Sequence, residues 1–146
     1  MSKNILICGV GGQGTVLAAK VLSQAAISSG QHVLSAETIG MAQRGGSVTS
    51  HVRIGDDIFS PLIPKGQADI IIAFEAAEAA RNISYLKKGG LVIVNKKVVQ
   101  PTTASLTGSS FNINTMIEYL EKTSGQLITV DTDQACQDLG STKVVN

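Results

Sequence analysis

Aromatic residues are scarce in this sequence of 146 residues, where they make up 3% of the chain and tryptophan is absent. The core must therefore consist mainly of Val, Ile, Leu and Ala, which suits a parallel sheet covered by Ala-rich helices. Cysteine is scarce too, since Cys8 and Cys136 are the only two. Two separated cysteines cannot supply the four thiolates of an iron-sulfur cluster, and they are typical of a reduced, cytoplasmic protein. We therefore expect no metal site in this chain.

A strong net charge and a long apolar run are also missing. The sequence has twelve Lys and Arg against eleven Asp and Glu, a formal charge of +1. The chain therefore has no strong electrostatic field that would attract nucleic acid or an anionic membrane. The apolar runs are far shorter than the roughly 20 residues that span a bilayer, and the first residues lead directly into a strand pattern. We expect one domain over residues 1–146, with neither a membrane anchor nor a signal peptide.

The spacing of apolar residues predicts alternating strands and helices. Short apolar runs predict five buried strands, at residues 4–9, 32–36, 69–74, 91–95 and 127–130. Helical spacing predicts four helices, at residues 15–29, 75–88, 114–124 and 133–140. The first strand, helix and strand predict a right-handed crossover and hence a parallel pair. The helix of residues 75–88 places Glu75 and Glu78 first and Lys87 and Lys88 last, which complements its dipole.

One region departs from this alternation. Residues 47–54 alternate between two faces, with Ser47, Thr49, His51 and Arg53 on one of them. The Gly55-Asp56-Asp57 run is typical of a hairpin turn into a second strand that ends at residue 62. The prediction is an α/β fold, a Rossmann-like doubly wound, mostly parallel sheet with an antiparallel hairpin insert at about residues 47–62.

A glycine-rich turn lies between the first predicted strand and helix. It has the G-x-G-x-x-G spacing, from Gly9 through Gly11, Gly12 and Gln13 to Gly14, and such a turn can present backbone N–H groups to a phosphate. Glu37, which follows the second strand, is where a ribose-binding acid lies in a dinucleotide fold. Alternatively, the glycines only permit tight packing of strand against helix, and Glu37 is a solvated strand end. The spacing leaves both interpretations open.

A second glycine-bearing loop contains a cation, in the order Arg44, Gly45, Gly46 and Ser47. With the polar face that follows, it could meet an anionic ligand or a partner subunit. The alternative is an antiparallel strand with one face in water, in which His51 and Arg53 have no ligand role.

Two polar residues follow buried strands. Glu75 and Asn95 should lie at the carboxyl edge of the sheet, where open α/β proteins bind ligands. Equally, Glu75 could be a carboxylate at a helix N-terminus, and Asn95 could form a turn.

Familiar catalytic motifs are missing from the sequence. It has no G-x-S-x-G nucleophile elbow and no P-loop lysine, and Gly55-Asp56-Asp57 is not the Gly-Asp-Gly with which a thiamine diphosphate site usually begins. No residue can therefore be assigned as catalytic, and we expect the chain to be one subunit of a larger enzyme.

Several motifs, taken in order, resemble a known family. The glycine turn, the Met41-Ala42-Gln43-Arg44-Gly45-Gly46-Ser47 run and the later Phe74-Glu75-Ala76-Ala77-Glu78 run are similar to the gamma-type domain of 2-oxoacid:ferredoxin oxidoreductases. The resemblance covers residues 4 to about 101 and is greatest to the smaller subunit of the indolepyruvate type. Members usually continue beyond a segment like residues 142–146, so we expect either a truncated C-terminus or a short member.

The resemblance implies a function for the complex and a role for this chain. The complex would oxidatively decarboxylate arylpyruvates to acyl-CoA and pass electrons to ferredoxin. Thiamine diphosphate and iron-sulfur clusters would belong to a larger partner subunit, with coenzyme A as cosubstrate. The cofactor-binding residues would be Gly9, Gly11, Gly12, Gln13, Gly14, Arg44, Gly45, Gly46, Ser47 and Glu75. Two alternatives stay open: a free-standing nicotinamide- or flavin-dependent reductase that uses Glu37, and a nucleotide-sensing module without chemistry.

Overall fold

A six-stranded sheet forms the centre of the computed structural model, which describes residues 2–39, 45–97, 99, 112–138 and 140. The strands are β1 (Lys3–Val10), β2 (Val33–Ile39), β3 (Ser47–Ile54), β4 (Ala68–Ala73), β5 (Leu86–Asn95) and β6 (Gln126–Val130). The helices are α1 (Thr15–Ser28), α2 (Ala76–Asn82), α3 (Ile113–Thr123) and α4 (Thr132–Asp138), with a short 3-10 helix at Ile83–Tyr85. In the described part of the chain, no helix is long and apolar enough to span a bilayer.

The strand order is β2-β3-β1-β4-β5-β6, and the pairs β1-β4, β4-β5 and β5-β6 are parallel. This confirms the predicted α/β class and the mostly parallel sheet. The predicted direct pairing of the first two strands is wrong, because β3 lies between β1 and β2 and pairs antiparallel with both. The two strands still point the same way, as a crossover through α1 requires.

The sheet is covered on both faces, which confirms the doubly wound arrangement. Alternate residues of β1 face opposite ways, so Ile5 and Ile7 pack with Ala19 of α1 and Val52 of β3. Leu6 and Cys8 instead join a cluster on the other face that contains residues of α2 and α3, among them Ala76, Ala79 and Leu120. The strands are therefore buried on both sides, as their nearly continuous apolar runs indicate.

The antiparallel insert is a single strand rather than a hairpin. β3 alone forms it, and residues 58–62 have no strand structure, so the predicted partner strand is wrong. The physical reason is the hydrogen bonding of that segment. The carbonyls of Ser60 and Leu62 accept hydrogen bonds from the Arg53 side chain. Pro61 has no N–H to donate to a neighbouring strand.

The predicted helix of residues 75–88 is also wrong in its second half. α2 ends at Asn82, and Leu86 already begins β5, where it pairs with Ala68 of β4. Lys87 and Lys88 therefore lie in a strand and not at a helix C-terminus. At the end of α2 the Asn82 side chain donates to the Glu78 carbonyl oxygen at 2.9 Å, a local bond that competes with helical pairing. Sheet pairing then outweighs helix propensity.

Candidate functional site

The glycine turn joins β1 to α1 at the carboxyl edge of the sheet, by which we mean the ends of β1, β4 and β5 and the start of β3. Gly12 and Gly14 have φ angles of 99° and 83°, in the left-handed region that favours glycine. Gln13 closes the turn, because its backbone N–H donates to the Val10 carbonyl at 3.1 Å and its Oε1 accepts from the Val10 N–H at 2.7 Å. The Gln13 amide oxygen is therefore engaged within the turn.

Gly9 is a packing glycine at the end of the buried strand. A Cβ added there would lie 2.8 Å from both Gln13 Oε1 and Thr15 Cγ2 and 3.1 Å from Phe74 Cβ. These distances are shorter than van der Waals contact, so only glycine fits without a shift of its neighbours. At this position, the structure agrees with the interpretation of tight packing between strand and helix.

The second glycine segment lies directly beside the first. The Gly11 N–H donates to the Gly46 carbonyl at 2.8 Å, and the Gly45 N–H donates to the Gly11 carbonyl at 3.5 Å. Two segments that are separate in sequence are thus joined into one surface at the carboxyl edge. Arg44, which precedes this segment, lies outside the described residues.

Ser47 connects this surface to a pair of buried glutamates. Its hydroxyl donates to Glu78 Oε2 at 2.6 Å, and Arg81 forms an ion pair with Glu78 Oε1. Glu75 caps α2: its Oε2 accepts from the Glu78 N–H at 2.8 Å, and its Oε1 accepts from the Val99 N–H at 3.2 Å. Both glutamates are buried, with 1% exposure for Glu75 and 2% for Glu78. Glu75 therefore lies inside the protein, where it holds the carboxyl edge in place through hydrogen bonds, and does not face solvent.

Burial dominates the electrostatics of this edge. It raises the pKa of the Glu75 carboxyl, and the hydrogen bonds from the Glu78 and Val99 N–H groups offset only part of that rise. Burial, together with the charges of Glu78 and Glu75, raises the pKa of the Cys8 thiol far above its usual range. Cys8 therefore stays a neutral thiol and is not a nucleophile.

A cavity of about 520 Å³ opens next to the glycine turn. Its lining consists of the turn, the first residues of α1 and one residue of β3: Gly11, Gly12, Gly14, Thr15, Val16, Leu17, Lys20 and Val48. The N-terminus of a helix favours an anion, and Lys20 is the only charged residue of α1. This combination can bind an anionic group. Among the described residues, no cluster of three or more His, Cys, Asp and Glu side chains could hold a metal ion.

Glu37 does not lie where a dinucleotide fold places its ribose-binding acid. It lies within β2 rather than at its end, and it pairs with Ser50 of β3. β3 separates β2 from β1, so Glu37 is two strand spacings, about 10 Å, from the strand that carries the glycine turn. The structure therefore argues against the nicotinamide-dependent alternative.

His51 and Arg53 lie away from the glycine turn, because β3 runs antiparallel to β1. Ser47 pairs with Val10 at the carboxyl edge, whereas Arg53 pairs with Asn4 at the opposite end of the same strand, about 20 Å away. The expectation that Arg53 shares one ligand surface with the second glycine-bearing loop is therefore wrong, because Gly45 and Gly46 lie at the carboxyl edge.

The interpretation of β3 as a strand with one face in water holds for Ser47, which is exposed, but not for His51. His51 is buried, its Nδ1 accepts from the Ile63 N–H at 3.2 Å, and its ring meets Tyr85 edge-on at 5.6 Å. Burial lowers the pKa of His51.

Asn95 reaches the carboxyl edge, as the sequence predicts, but its contacts are structural. Its Nδ2 donates to the Phe74 carbonyl at 3.4 Å, and its Oδ1 accepts from the Thr132 N–H at 3.5 Å. It therefore joins the ends of β4 and β5 to the start of α4.

Two members of the site have no role in the sequence-based prediction. Glu78 appears there only as a charge that complements a helix dipole, and Lys20 does not appear at all. The sequence does contain a signal for Glu78. Glu75 follows a buried strand and Glu78 comes three residues later, which is the spacing that places two such side chains together in the first turn of a helix. Lys20 can be recognised only from its position in the lining of the cavity. In the sequence, a single lysine on an otherwise uncharged helix does not indicate a site.

The fold and the site define an α/β protein with a mostly parallel sheet and a glycine-lined cavity at its carboxyl edge. The pyruvate ferredoxin/flavodoxin oxidoreductase family matches residues 4–146, and the chain belongs to this family. The resemblance drawn from the sequence motifs is thus confirmed, as is the expectation of an oxidoreductase subunit.

The chain is 42% identical over 147 residues to the indolepyruvate oxidoreductase subunit IorB of Archaeoglobus fulgidus, an alignment that covers 100% of this chain and 73% of that protein. It is 40% identical to the subunit of the same name from Pyrococcus horikoshii, with 98% of this chain and 72% of that protein covered. The crystal structure of the pyruvate oxidoreductase subunit PORC from Thermotoga maritima has the same fold, with a TM-score of 0.67 at 21% identity, and the match covers 99% of this chain and 70% of that one.

Proposed function

We propose that this chain is the smaller subunit of a ferredoxin-dependent complex that oxidatively decarboxylates arylpyruvates to acyl-CoA. The observation that carries the proposal is the identity of 40–42% to two archaeal IorB subunits over 98–100% of this chain. Both relatives are named as subunits of an indolepyruvate oxidoreductase, and this chain would serve the same class of substrate. The complex works in the cytoplasm, and the elements of this chain act as one domain.

The chain contributes binding rather than redox chemistry. With Cys8 and Cys136 as its only cysteines, it lacks the four thiolates of an iron-sulfur cluster. Cys8 is also buried in the core. The clusters and thiamine diphosphate therefore belong to a larger partner subunit, which reduces ferredoxin.

The carboxyl edge is the part of this chain that meets a cofactor. Coenzyme A carries phosphate groups, and the cavity of about 520 Å³ offers the N-terminus of α1 together with Lys20. Gly11, Gly12 and Gly14 would let the backbone approach a phosphate, with Gly45 and Gly46 beside them, and Arg44, the residue before Gly45 in the sequence, would supply a cation. Gly9, Gln13, Ser47 and Glu75 would hold these groups in position through the contacts given above.

Reconstitution tests the proposal. The chain is co-expressed with the larger subunit from the same genome, and the purified complex is assayed for coenzyme-A-dependent reduction of a viologen dye. We expect arylpyruvates to be used at least tenfold better in kcat/KM than pyruvate or 2-oxoglutarate, and the larger subunit alone to be inactive. A preference for pyruvate would contradict the substrate class, and full activity of the larger subunit alone would contradict the role of this chain.

Arg44→Ala tests the second glycine segment. We expect this substitution to lower turnover of the assembled complex at least tenfold without unfolding the chain, because arginine is a permanent cation that can bind an anion and cannot act as an ordinary acid or base. Turnover and thermal melting are compared with those of Lys65→Ala, which removes an exposed cation outside the cavity. Unchanged turnover of the Arg44 variant would refute its assignment to the site.

Equilibrium binding separates the coenzyme A site from activity. We expect Lys20→Ala to weaken coenzyme A binding to the assembled complex several-fold, measured by isothermal titration calorimetry, with the effect reduced at high salt because the contact is electrostatic. Lys65→Ala, another exposed lysine outside the cavity, is the matched control. Equal affinity of the two variants for coenzyme A would show that coenzyme A does not bind in this cavity.

A further inference from the structure

An exposed aromatic side chain lies on the loop between β3 and β4. Phe59 is 94% exposed and Leu62 is 53% exposed, in a chain that has three phenylalanines and no tryptophan. Single exposed apolar residues are common on protein surfaces. Phe59 is different because of how firmly its loop is held.

Buried residues on both sides fix the segment that carries Phe59. Ile58 and Ile63 are buried in the core, at 3% and 2% exposure. The Arg53 Nη1 donates to the Ser60 carbonyl at 2.9 Å and to the Leu62 carbonyl at 3.4 Å. The Ile63 N–H donates to the buried His51 ring at 3.2 Å. Phe59 therefore projects from a short arch that is attached to β3 at several points.

Arg53 is itself held by a second layer of hydrogen bonds. Its Nε donates to Asn4 Oδ1 at 2.9 Å, and the Asn4 Nδ2 donates to the Gln67 carbonyl at 2.9 Å. The Asn4 backbone N–H donates to Asp69 Oδ2 at 2.7 Å. The beginning of β1, the end of β3 and the beginning of β4 thus form one frame for the loop. The whole loop between β3 and β4 spans residues 55–67 without helix or strand, and ordered loops longer than about 12 residues usually have a function.

A preformed loop with an aromatic tip is suited to binding a protein. Because the loop is already ordered, association costs little further conformational entropy. Aromatic residues are also the side chains that most often dominate the binding energy of an interface. The exposed Asp56 and Asp57 come directly before this segment and give it an acidic border on that side, whereas the exposed Lys65 follows it by two residues.

We propose that the loop of residues 58–63 docks this chain onto the larger subunit of its complex, with Phe59 in an apolar pocket that basic side chains surround. The proposal rests on the proposed function for the existence of that subunit. The acidic border favours it over a second copy of this chain, because a two-fold contact centred on the loop would place Asp56 and Asp57 against the same residues of the copy.

The test is the affinity of this chain for the separately purified larger subunit, measured by biolayer interferometry. We expect Phe59→Ala to weaken binding at least about 30-fold, the loss that a dominant interface residue produces, with unchanged thermal melting of the free chain. Leu62→Ala should have a smaller effect. The control is Ile27→Ala, which removes from α1 an apolar residue that is 51% exposed, close to the 53% of Leu62, and should bind as the parent chain does.

Arg53 is a positioning residue in this proposal, and a double-mutant cycle tests that role. Arg53→Gln should weaken binding when Phe59 is present and have little further effect in the Phe59→Ala background, because its contribution acts through the loop. A loss of equal size in both backgrounds would show general destabilisation and would refute the positioning role.

The outcomes separate this proposal from the proposed function. Parent affinity of Phe59→Ala, while the parent chain binds the larger subunit and activates it, would overturn the docking loop and leave the function intact. Failure of the parent chain to bind the larger subunit would overturn both. Self-association of the parent chain that Phe59→Ala abolishes, measured by light scattering, would assign the loop to a second copy and overturn the choice of partner.

Discussion

The two edges of the sheet hold polar networks of opposite character. At the carboxyl edge, Glu75 and Glu78 are buried and accept hydrogen bonds from the chain around them, and burial raises the pKa of Glu75. At the other edge, burial also disfavours the charged form of Asp69, but hydrogen bonds from Lys87 and the Asn4 N–H, with the charges of Lys87 and Lys3, outweigh it and lower its pKa.

This difference shows how one sheet supports two kinds of site. The carboxylates at the carboxyl edge hold glycine segments beside a cavity. The polar side chains there therefore form their hydrogen bonds largely within the chain. The opposite edge uses one arginine and one asparagine to hold a loop that projects into solvent. Since β3 runs antiparallel to β1, its first residue serves the former edge and its last residues serve the latter.

The largest expected effect concerns the packing of the carboxyl edge. Gly9→Val should lower the free energy of unfolding by about 3 kcal/mol, because the new side chain overlaps Thr15 and Phe74. Urea denaturation measures it. Gly12→Ala is the control: a Cβ there has open space but a positive φ, so its cost should be only about 1–2 kcal/mol. A Gly9 variant no less stable than the Gly12 variant would show that the edge is not tightly packed.

A smaller effect is expected from the glutamate that caps α2. Glu75→Ala removes the acceptor for the Glu78 and Val99 N–H groups, and we expect it to lower the free energy of unfolding by about 2 kcal/mol. Asp133→Ala, which removes an exposed carboxylate at the same edge, should change it by less than about 1 kcal/mol. Similar values for the two variants would contradict the structural role of Glu75.

The pH dependence should differ in sign between the edges. The folded pKa of Glu75 is raised above its ordinary value of 4.5, so its contribution to stability is present below that value and is lost as the pH rises through the folded pKa. The pKa of Asp69 is lowered from 3.8, so its contribution is present above that value and is lost as the pH falls through the folded pKa.

Denaturation at a series of pH values checks these signs. From about pH 4 to about pH 8, Glu75→Gln should become more stable relative to the parent chain, because the variant has no carboxyl to ionise. Asp69→Asn should lose its disadvantage relative to the parent chain only at the acidic end of the series. Parallel curves for the parent chain and the Glu75 variant would show that Glu75 is not desolvated.

The smallest effects should come from the ion pairs. Lys87→Met breaks the pair with Asp69, which is partly buried, and should lower the free energy of unfolding by no more than about 1 kcal/mol. Lys97→Met breaks an exposed pair with Asp133 and should have almost no effect. Thermal melting at low and high salt measures both, and a larger effect of the Lys97 variant would reverse the expected order.

Much of the fold is predictable from the sequence, and the errors share a cause. The apolar runs predict β1, β4 and β6 and the second half of β5, and helical spacing predicts α1 and α3, all but the start of β5 within one or two residues of their ends. The errors fall where pairing partners decide the outcome. Leu86 belongs to β5 because Ala68 is opposite it, and residues 58–62 form no strand because Arg53 binds their carbonyls.

The candidate site is predictable only in part. The two glycine segments are visible as spacing, but their contact through Gly11 and Gly46 is visible only in the structure. The alternation of β3 is equally visible, but it cannot reveal that Ser47 and Arg53 serve opposite edges. That depends on the direction in which the strand enters the sheet.

The sequence by itself determined the α/β class, the glycine turn at the end of the first strand and the family, because local periodicity and short motifs carry that information. The tertiary structure decided the position of β3 between β1 and β2, the burial of His51 and Glu75, and the exposure of Phe59. These features depend on contacts between segments far apart in the chain. No local pattern specifies such contacts, since the same alternating strand can pair at an edge or in the middle of a sheet.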